Sequence, residues 1–406
     1  MQTNIQTQQD SSFSETRQRQ ILLTLMTLYP LVGMGIDLIS PSLPAISKHF
    51  MTSSSFSINL ITLYMFGYAI GNFIMGLLSD ALGRRKLMLY GFLVFVIVSI
   101  LPAIFAKPFV LIISRLLQGF SIAAFAAVSR AVLADILPKE KLVHSATFIA
   151  TMWGIGPIIG PIIGGYLQYY FNWQACFYFF AAYGCWGLIT LIFLIPETHF
   201  HRQPLQLKQI ANNFITVMSH RTFIGIVILM GTTYSLLIVF NALGPFLIQS
   251  SLGYTSIYFG HIAFIMGFMF LLGTFFCRKL LKILQPEKLF YYTIIILLII
   301  ATFGVIAAQI APKNIWLIII LTICMFLGCG SVYPAALGKG ISLFRNLAGS
   351  ASAIMNLINI LITTLTGLIM SHISATSAMP LALTYLSLMI IAFMSYYVLT
   401  HSQKIA

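Results

Sequence analysis

The chain has 406 residues, of which 59% are hydrophobic and only 7% charged, against roughly 25% charged in a soluble domain. With 33 Phe and a mean hydropathy of +0.96, much of its surface must face lipid, so soluble, collagen-like, disordered and disulfide-stapled classes are excluded. The net charge of +14 is no nucleic-acid footprint, because the 22 Lys and Arg are scattered between apolar runs and form no single patch.

A Gln/Ser/Thr-rich tail over 1–20 comes first and is too polar to fold alone. It lacks the basic start, short apolar core and small-residue cleavage site of a signal peptide. Apolar runs of about 20 residues, the length a membrane helix needs, follow at 21–40, 57–79, 87–106, 109–134, 142–168 and 174–195. Six more lie at 222–250, 256–277, 289–311, 315–338, 347–371 and 380–399. The polar stretch 196–221, with three His, two Arg and a Lys, reads as a linker between two six-helix halves, 21–195 and 222–399, and a short tail, 400–406, ends the chain. If the N-terminus is cytosolic, only Lys48, Lys107 and Lys313 fall outside, Arg115 and Arg130 fall within the fourth span, and the other 17 basic residues lie inside. By the positive-inside rule, both termini and the linker are expected in the cytosol and the chain in the cytoplasmic (inner) membrane. The five Cys lie in apolar runs with no metal-site spacing, and no His is followed by Glu, so neither a metal nor a zinc-protease site is expected.

Motifs recur along these spans. The first span ends Gly33-Met-Gly35-Ile-Asp37-Leu-Ile-Ser-Pro41-Ser-Leu-Pro44. After the second comes Gly76-Leu-Leu-Ser-Asp80-Ala-Leu-Gly83-Arg84-Arg85-Lys86, where Gly76 permits close helix approach, Gly83 a tight turn, and Asp80 offers an anion suited to a helix N-terminus. The fourth span carries Arg115-Leu-Leu-Gln118-Gly119 and then Ser129-Arg130, with Asp135 further on. Arg115, about 12 Å below the outer surface, demands a cavity or a partner. Arg130 and Asp135 can reach the cytosolic headgroups, and structural pairing is the reading there. In the fifth span Gly154-Ile-Gly156-Pro157-Ile-Ile-Gly160-Pro161-Ile-Ile-Gly164-Gly165 would break a soluble helix but gives a kinked helix with a flat packing face in a bundle.

The loop at Gly76 to Lys86 resembles the signature of the major facilitator superfamily, and Arg115-x-x-Gln118-Gly119 looks like a further element of it. The repeated Gly-Pro-x-x-Gly spacing is similar to that of the antiporter branch, and Asp37-x-x-x-Pro41-x-Leu43-Pro44 resembles the twelve-span drug:proton antiporters, most closely the bicyclomycin-resistance type. Ala348 to Ala353 with Asn356 and Asn359 is also similar to that group, although the group commonly has Gly and Gln where this chain has the two Asn. The resemblance implies an all-α membrane protein of twelve transmembrane helices in two pseudo-symmetric halves, with Asp80 in a conformational latch between them. Gly273 to Lys282, the counterpart of the Asp80 loop in the second half, has lost its acid.

Asp37 is the one acid embedded in a span, and Arg115 is expected at comparable depth. The two are read either as a buried ion pair holding the first half together or as a site where Asp37 holds a proton or a substrate in turn. Further cavity candidates are Tyr29, Tyr64, Tyr68 and Asn72 in the first two spans, Met152 and Trp153 in the fifth, Tyr234 and Asn241 in the seventh, His261 in the eighth, and Asn356 and Asn359 in the eleventh. Tyr64, Tyr68 and Asn72 share a helical face, as do Tyr234 and Asn241. The expected function is proton-coupled efflux of lipophilic small molecules such as drugs, the alternative being transport of one defined metabolite or siderophore. The expected partners are the lipid bilayer, a small-molecule substrate and protons. No enzyme activity, nucleic acid or cofactor beyond the proton gradient is expected, and the chain is expected to act as a monomer.

Overall fold

A computed structural model describes residues 13–199, 207–344 and 347–401, with the side chains of Asp80, 139–140, 142–151, Leu207 and 398–401 outside the description. Hydropathy forces helices because lipid cannot satisfy an open backbone donor or acceptor. Among the described residues, eleven helical stretches are long and apolar enough to cross a membrane. With α6 they make twelve, and their bounds follow the expected spans closely at most ends.

In chain order, α1 runs Glu15–Asp37, turns through a 3-10 segment at Ser40–Ser42, and resumes as α2, Leu43–His49. Pro41 and Pro44, which lack an N–H and suit a first helical turn, cause the break directly after Asp37. There follow α3 (Ser54–Leu82), α4 (Arg84–Phe105), α5 (Pro108–Ile136), α6 (Lys139–Tyr170) and α7 (Gln174–Leu194). The polar linker contains a short helix not expected from the sequence, α8 (Leu207–Met218), which buries Val217 and reaches the second half through Asn213 Nδ2 to Ser350 Oγ, 3.4 Å. The second half is α9 (Arg221–Pro245) with a π-helical turn at Phe246–Ser251, then α10 (Ser256–Leu280), α11 (Pro286–Ile310), α12 (Ile315–Ser342), α13 (Ala348–Ser371) and α14 (Ala378–His401).

An even number of crossings puts the start of α1 and the end of α14 on one side, here the terminal face. Helices α1 to α7 pack among themselves, as do α9 to α14. The halves meet mainly through α6 on α10 and α3 on α13. Among the described residues, four hydrogen bonds join the halves directly: Ser40 Oγ to Asn241 O (2.8 Å), Gln249 Nε2 to Pro41 O (3.0 Å), Ser256 Oγ to Gly165 O (2.9 Å), and Asn241 Nδ2 to Asp37 Oδ1. All four lie toward the face opposite the termini.

The glycines of α6 set how closely that contact is made. A methyl on Gly156 would lie 2.6 Å from Met34 N and from Pro30 O, and one on Gly165 would lie 2.6 Å from Ser256 O. Helix α6, kept helical through Pro157 and Pro161, is therefore wedged between α1 on one side and α10 of the other half. Gly76 differs from expectation: an added methyl would meet only Ala127 Cβ at 4.0 Å, so its lack of a side chain is not what brings α3 to its neighbour here.

Candidate functional site

Asp37 is the last residue of α1, 4% exposed, and among the described residues it has no ion-pair partner. Its carboxylate accepts a hydrogen bond from the Asn241 amide of the opposite half. The pair has an internal symmetry. Asp37 precedes Pro41 by four residues and Asn241 precedes Pro245 by four; α1 leaves regular α geometry directly after Asp37, and α9 turns π-helical directly after Pro245. The acid and the amide thus occupy corresponding places in the two halves and meet between them.

Around this bond lies a cavity lined by α1 (Ile36, Asp37), α6 (Trp153, Gly154, Pro157, Ile158), α9 (Tyr234 and Asn241 among others), α10 (Ala263, Gly267, Phe270) and Phe326 of α12. Its free space is about 30 Å³, room for one or two waters. Three of its aromatic rings are linked, two of them through Tyr333 outside the lining: Trp153 to Tyr234 (6.4 Å between centroids), Tyr234 to Tyr333 (5.2 Å), and Tyr333 to Phe270 (6.5 Å). Tyr333, Phe270 and Phe326 carry no mark in the sequence that separates them from lipid-facing aromatics.

Arg115 corrects the expectation that it meets Asp37. It is fully buried, and its guanidinium donates to Leu60 O (3.1 Å), Gly35 O (2.7 Å) and Gln118 Oε1 (3.0 Å). The Tyr64 ring lies under it at 4.4 Å, and the Tyr64 hydroxyl donates to Val32 O at 3.3 Å. Backbone carbonyls and an aromatic face satisfy the cation, so Arg115 and Tyr64 stitch α1, α3 and α5 together and do not line the cavity.

The other candidates divide. Tyr234 and Asn241, seven residues apart on α9, do share the cavity face. Asn72 accepts from Arg130 Nη2 (3.0 Å), with Tyr68 beside them. Tyr29 hydrogen-bonds Ser129 Oγ at 2.6 Å, within the first half. His261 is exposed, close to its own Ile257 carbonyl (2.9 Å) and edge-on to Tyr166, so it belongs to the outer surface and not to the cavity. Asn359 is buried with Oδ1 unpartnered, whereas Asn356 and Met152 are half-buried and lie outside the cavity lining. Of the α6 motif, Gly154 and Pro157 reach the cavity, Gly156, Gly160 and Gly164 face α1 near Asp37, and the Pro161 carbonyl lies beside Gly260 of α10.

At the terminal face, Gly83 takes φ +97°, the conformation the expected tight turn requires. The anion at the α4 N-terminus is Glu197, which accepts from Arg84 N (3.0 Å), Arg85 N (3.3 Å), Thr198 N (3.1 Å) and His199 N (3.1 Å). Asp135 pairs with Arg84 Nε (3.1 Å) and accepts from Thr198 Oγ1 (2.9 Å), so its partner is Arg84 and not Arg130. Arg85 Nη2 reaches Ile192 O at 2.8 Å. The described part of the loop braces α4, α5 and the end of α7 within the first half. The expected latch on Asp80 falls on a side chain outside the described residues.

Residues 25–366 match the Major Facilitator Superfamily. The chain belongs to that superfamily. It is 25% identical over 388 residues to the bicyclomycin resistance protein homolog of Haemophilus influenzae, covering 93% of this chain and 96% of the relative. It is also 27% identical over 275 residues to the multidrug transporter MdfA of Edwardsiella piscicida, covering 66% and 67% of the two chains. Among solved structures, a bacterial homolog of the lysosomal transporter Spinster, inward-facing and unoccupied, superposes with a TM-score of 0.76 at 12% identity, covering 96% of this chain and 98% of that one. A D-xylose-proton symporter gives 0.73 at 15% identity over 92% and 97%. These likenesses establish the superfamily fold and a multi-pass membrane protein.

Proposed function

We propose that the chain exports lipophilic small molecules, drugs among them, from the cytosol in exchange for protons, by alternating access across the cytoplasmic membrane. The observation that carries this reading is Asp37: a buried carboxylate in a cavity between the halves that, among the described residues, has no counter-ion and a hydrogen bond only from the other half's Asn241. Such a group can hold a proton or a donor on the solute, and exclusive occupancy couples the two flows. The break in α1 after Asp37 and the glycine face of α6 against it support a joint beside the carboxyl about which the halves rock.

The 17-to-3 division of basic residues supports a cytosolic terminal face. On that orientation the four bonds between the halves found among the described residues lie on the outer side, which supports a conformation closed outward. Opening outward must break them, the Asp37 bond included, and because a carboxylate accepts the Asn241 amide more strongly than a neutral carboxyl does, protonation of Asp37 favours opening of the outer gate. The printed names of the relatives, bicyclomycin resistance and multidrug transporter, support drugs as cargo. The aromatic and aliphatic lining around Tyr234, with Asp37 its one ionisable acid, supports lipophilic solutes over sugars. Each chain holds the whole path between its own halves, which supports the monomer as the working unit.

Purified protein in proteoliposomes, loaded with chloramphenicol or ethidium and given an imposed pH gradient, tests this. Movement of either compound against its own gradient that stops when nigericin collapses ΔpH is the expected result. Movement indifferent to ΔpH, or none for either compound, would overturn it.

A further inference from the structure

Three of the four bonds between the halves converge where both helices break. In the first half they end on Asp37, Ser40 and Pro41, and in the second on α9 and its π turn. Pro245 lacks the N–H that the Asn241 carbonyl, four residues back, would accept in an unbroken helix, and that carbonyl takes the Ser40 hydroxyl at 2.8 Å. After Pro245 the backbone widens: Leu252 N donates to Leu247 O, five residues back, at 3.1 Å, and Tyr254 N to Ile248 O at 3.0 Å. The widening decides where Gln249 points. At about 100° per residue, the eight steps from Asn241 to Gln249 in an α-helix would leave the two side chains about 80° apart. With four α steps and four π steps of roughly 80° each, they fall on one face. Both then reach the first half, Asn241 Nδ2 to Asp37 Oδ1 and Gln249 Nε2 to Pro41 O at 3.0 Å. Ser251 Oγ holds the far end of the turn to its own half, at Ala375 O between α13 and α14, 2.9 Å.

A return of 246–251 to α geometry would swing Gln249 about 80° away from Pro41. N–H groups bonded five residues back in one register bond four back in the other, so no backbone donor is stranded. The chain released goes into 252–255, which is non-helical, mostly exposed, and contains Gly253 at φ +77° with nothing within 4 Å of an added methyl. We propose that the π turn Phe246–Ser251 is the moving part of the outer gate and that Gln249 is the residue through which it acts. In π register Gln249 lies on the Asn241 face and shuts the mouth through the Pro41 carbonyl; in α register it turns aside and the mouth opens. This rests on the efflux reading for its orientation and goes beyond it by assigning the gate to a register change. Gln249 is a positioning residue, since its amide bonds Pro41 and not the Asp37 carboxylate.

The test uses the full-length chain with Ala263→Cys, a reporter in the cavity lining, and a membrane-impermeant maleimide. Labelling rates at that position are read by mass spectrometry of its peptide, in right-side-out and in inverted membrane vesicles. Gln249→Leu removes one neutral hydrogen bond and should raise the rate from the outer side about 2- to 10-fold, while the rate from the inner side stays level or falls. Gln249→Lys, which keeps a donor of similar reach, should return both rates to near those of the parent. Deleting Ser250, an exposed residue of the turn, removes the residue that the wider register needs and leaves Gln249 turned aside. It should therefore label as Gln249→Leu does, although Gln249 is present. Faster labelling from both sides would make Gln249 a structural residue and overturn the proposal, as would an unchanged outer rate in Gln249→Leu or parental rates after the Ser250 deletion. Chloramphenicol efflux in proteoliposomes is read in parallel: if wild type transports while the labelling pattern fails, only the gate is wrong, and if the pattern holds without efflux, the efflux reading falls and the gate stands.

Discussion

Replacing Arg115 by Met removes a cation of similar length from a fully buried place and takes its donors from the Gly35 carbonyl and Gln118 Oε1, while the Leu60 carbonyl keeps only the donor of its own helix. Each orphaned buried acceptor costs about 1–3 kcal/mol, and the lost contact over Tyr64 about 2 kcal/mol more. Against this stands relief from desolvating the guanidinium, and because its acceptors are neutral no buried charge is left behind, so the net is set at about 2–4 kcal/mol. At a few degrees per kcal/mol this is a fall in melting temperature of roughly 10 °C, readable by the thermal shift of purified protein in detergent. Arg115→Lys should fall less, since it keeps the charge but not the planar fork that reaches three acceptors on three helices. A Met variant with wild-type melting temperature but a displaced pH profile of efflux would refute this reasoning, because it would make Arg115 an electrostatic partner of Asp37 and not a stitch between α1, α3 and α5.

Gly156→Leu should abolish transport while the protein still inserts, because its side chain must displace the backbone of Met34 and Pro30, whereas Gly338→Ala, with nothing within 4 Å, should transport normally; efflux assays beside membrane-fraction blots check both. Glu197→Gln should lower the melting temperature by an amount reflecting about 1–2 kcal/mol, since it removes the negative charge that accepts four N–H groups around the α4 N-terminus, and an unchanged melting curve would contradict that capping role. His261→Ala should leave the number of protons exchanged per solute unchanged, as measured by pH-dye quenching in proteoliposomes, because the ring faces outward beside Tyr166.

The twelve spans were legible because lipid imposes length and hydropathy directly on sequence. The first runs longer than its apolar stretch suggests, since the 3-10 turn after Asp37 and α2 extend it to His49, whereas the seventh matches its expected bounds with the π turn after Pro245 included. The site was half legible. Asp37 stood out by charge alone, and Tyr234 with Asn241 by helical spacing. Arg115 was misjudged because depth can be counted along a helix but the facing partners cannot: two of its acceptors are backbone carbonyls, which have no sequence signature. Tyr333 and Phe270 share their residue type with lipid-facing aromatics such as Phe275 and Phe303. Glu197 lay unrecognised because the α4 N-terminus it caps is far from it in sequence and meets it only through the packing of α7 on α4. One signal was present and unread: the four-residue spacing to proline shared by Asp37 and Asn241 marks the two as counterparts in the repeated halves.

The central claim is that Asp37 is the group that exchanges proton for solute, and substrate-induced proton release from purified protein tests it most directly. Chloramphenicol added to wild-type protein in lightly buffered detergent should release protons, whereas Asp37→Asn, which keeps the shape and fixes the uncharged form, should release none and should also lose ΔpH-driven efflux in proteoliposomes. An Asp37→Asn protein that still releases protons on binding, with efflux following ΔpH at an unchanged proton-to-solute ratio, would contradict the account.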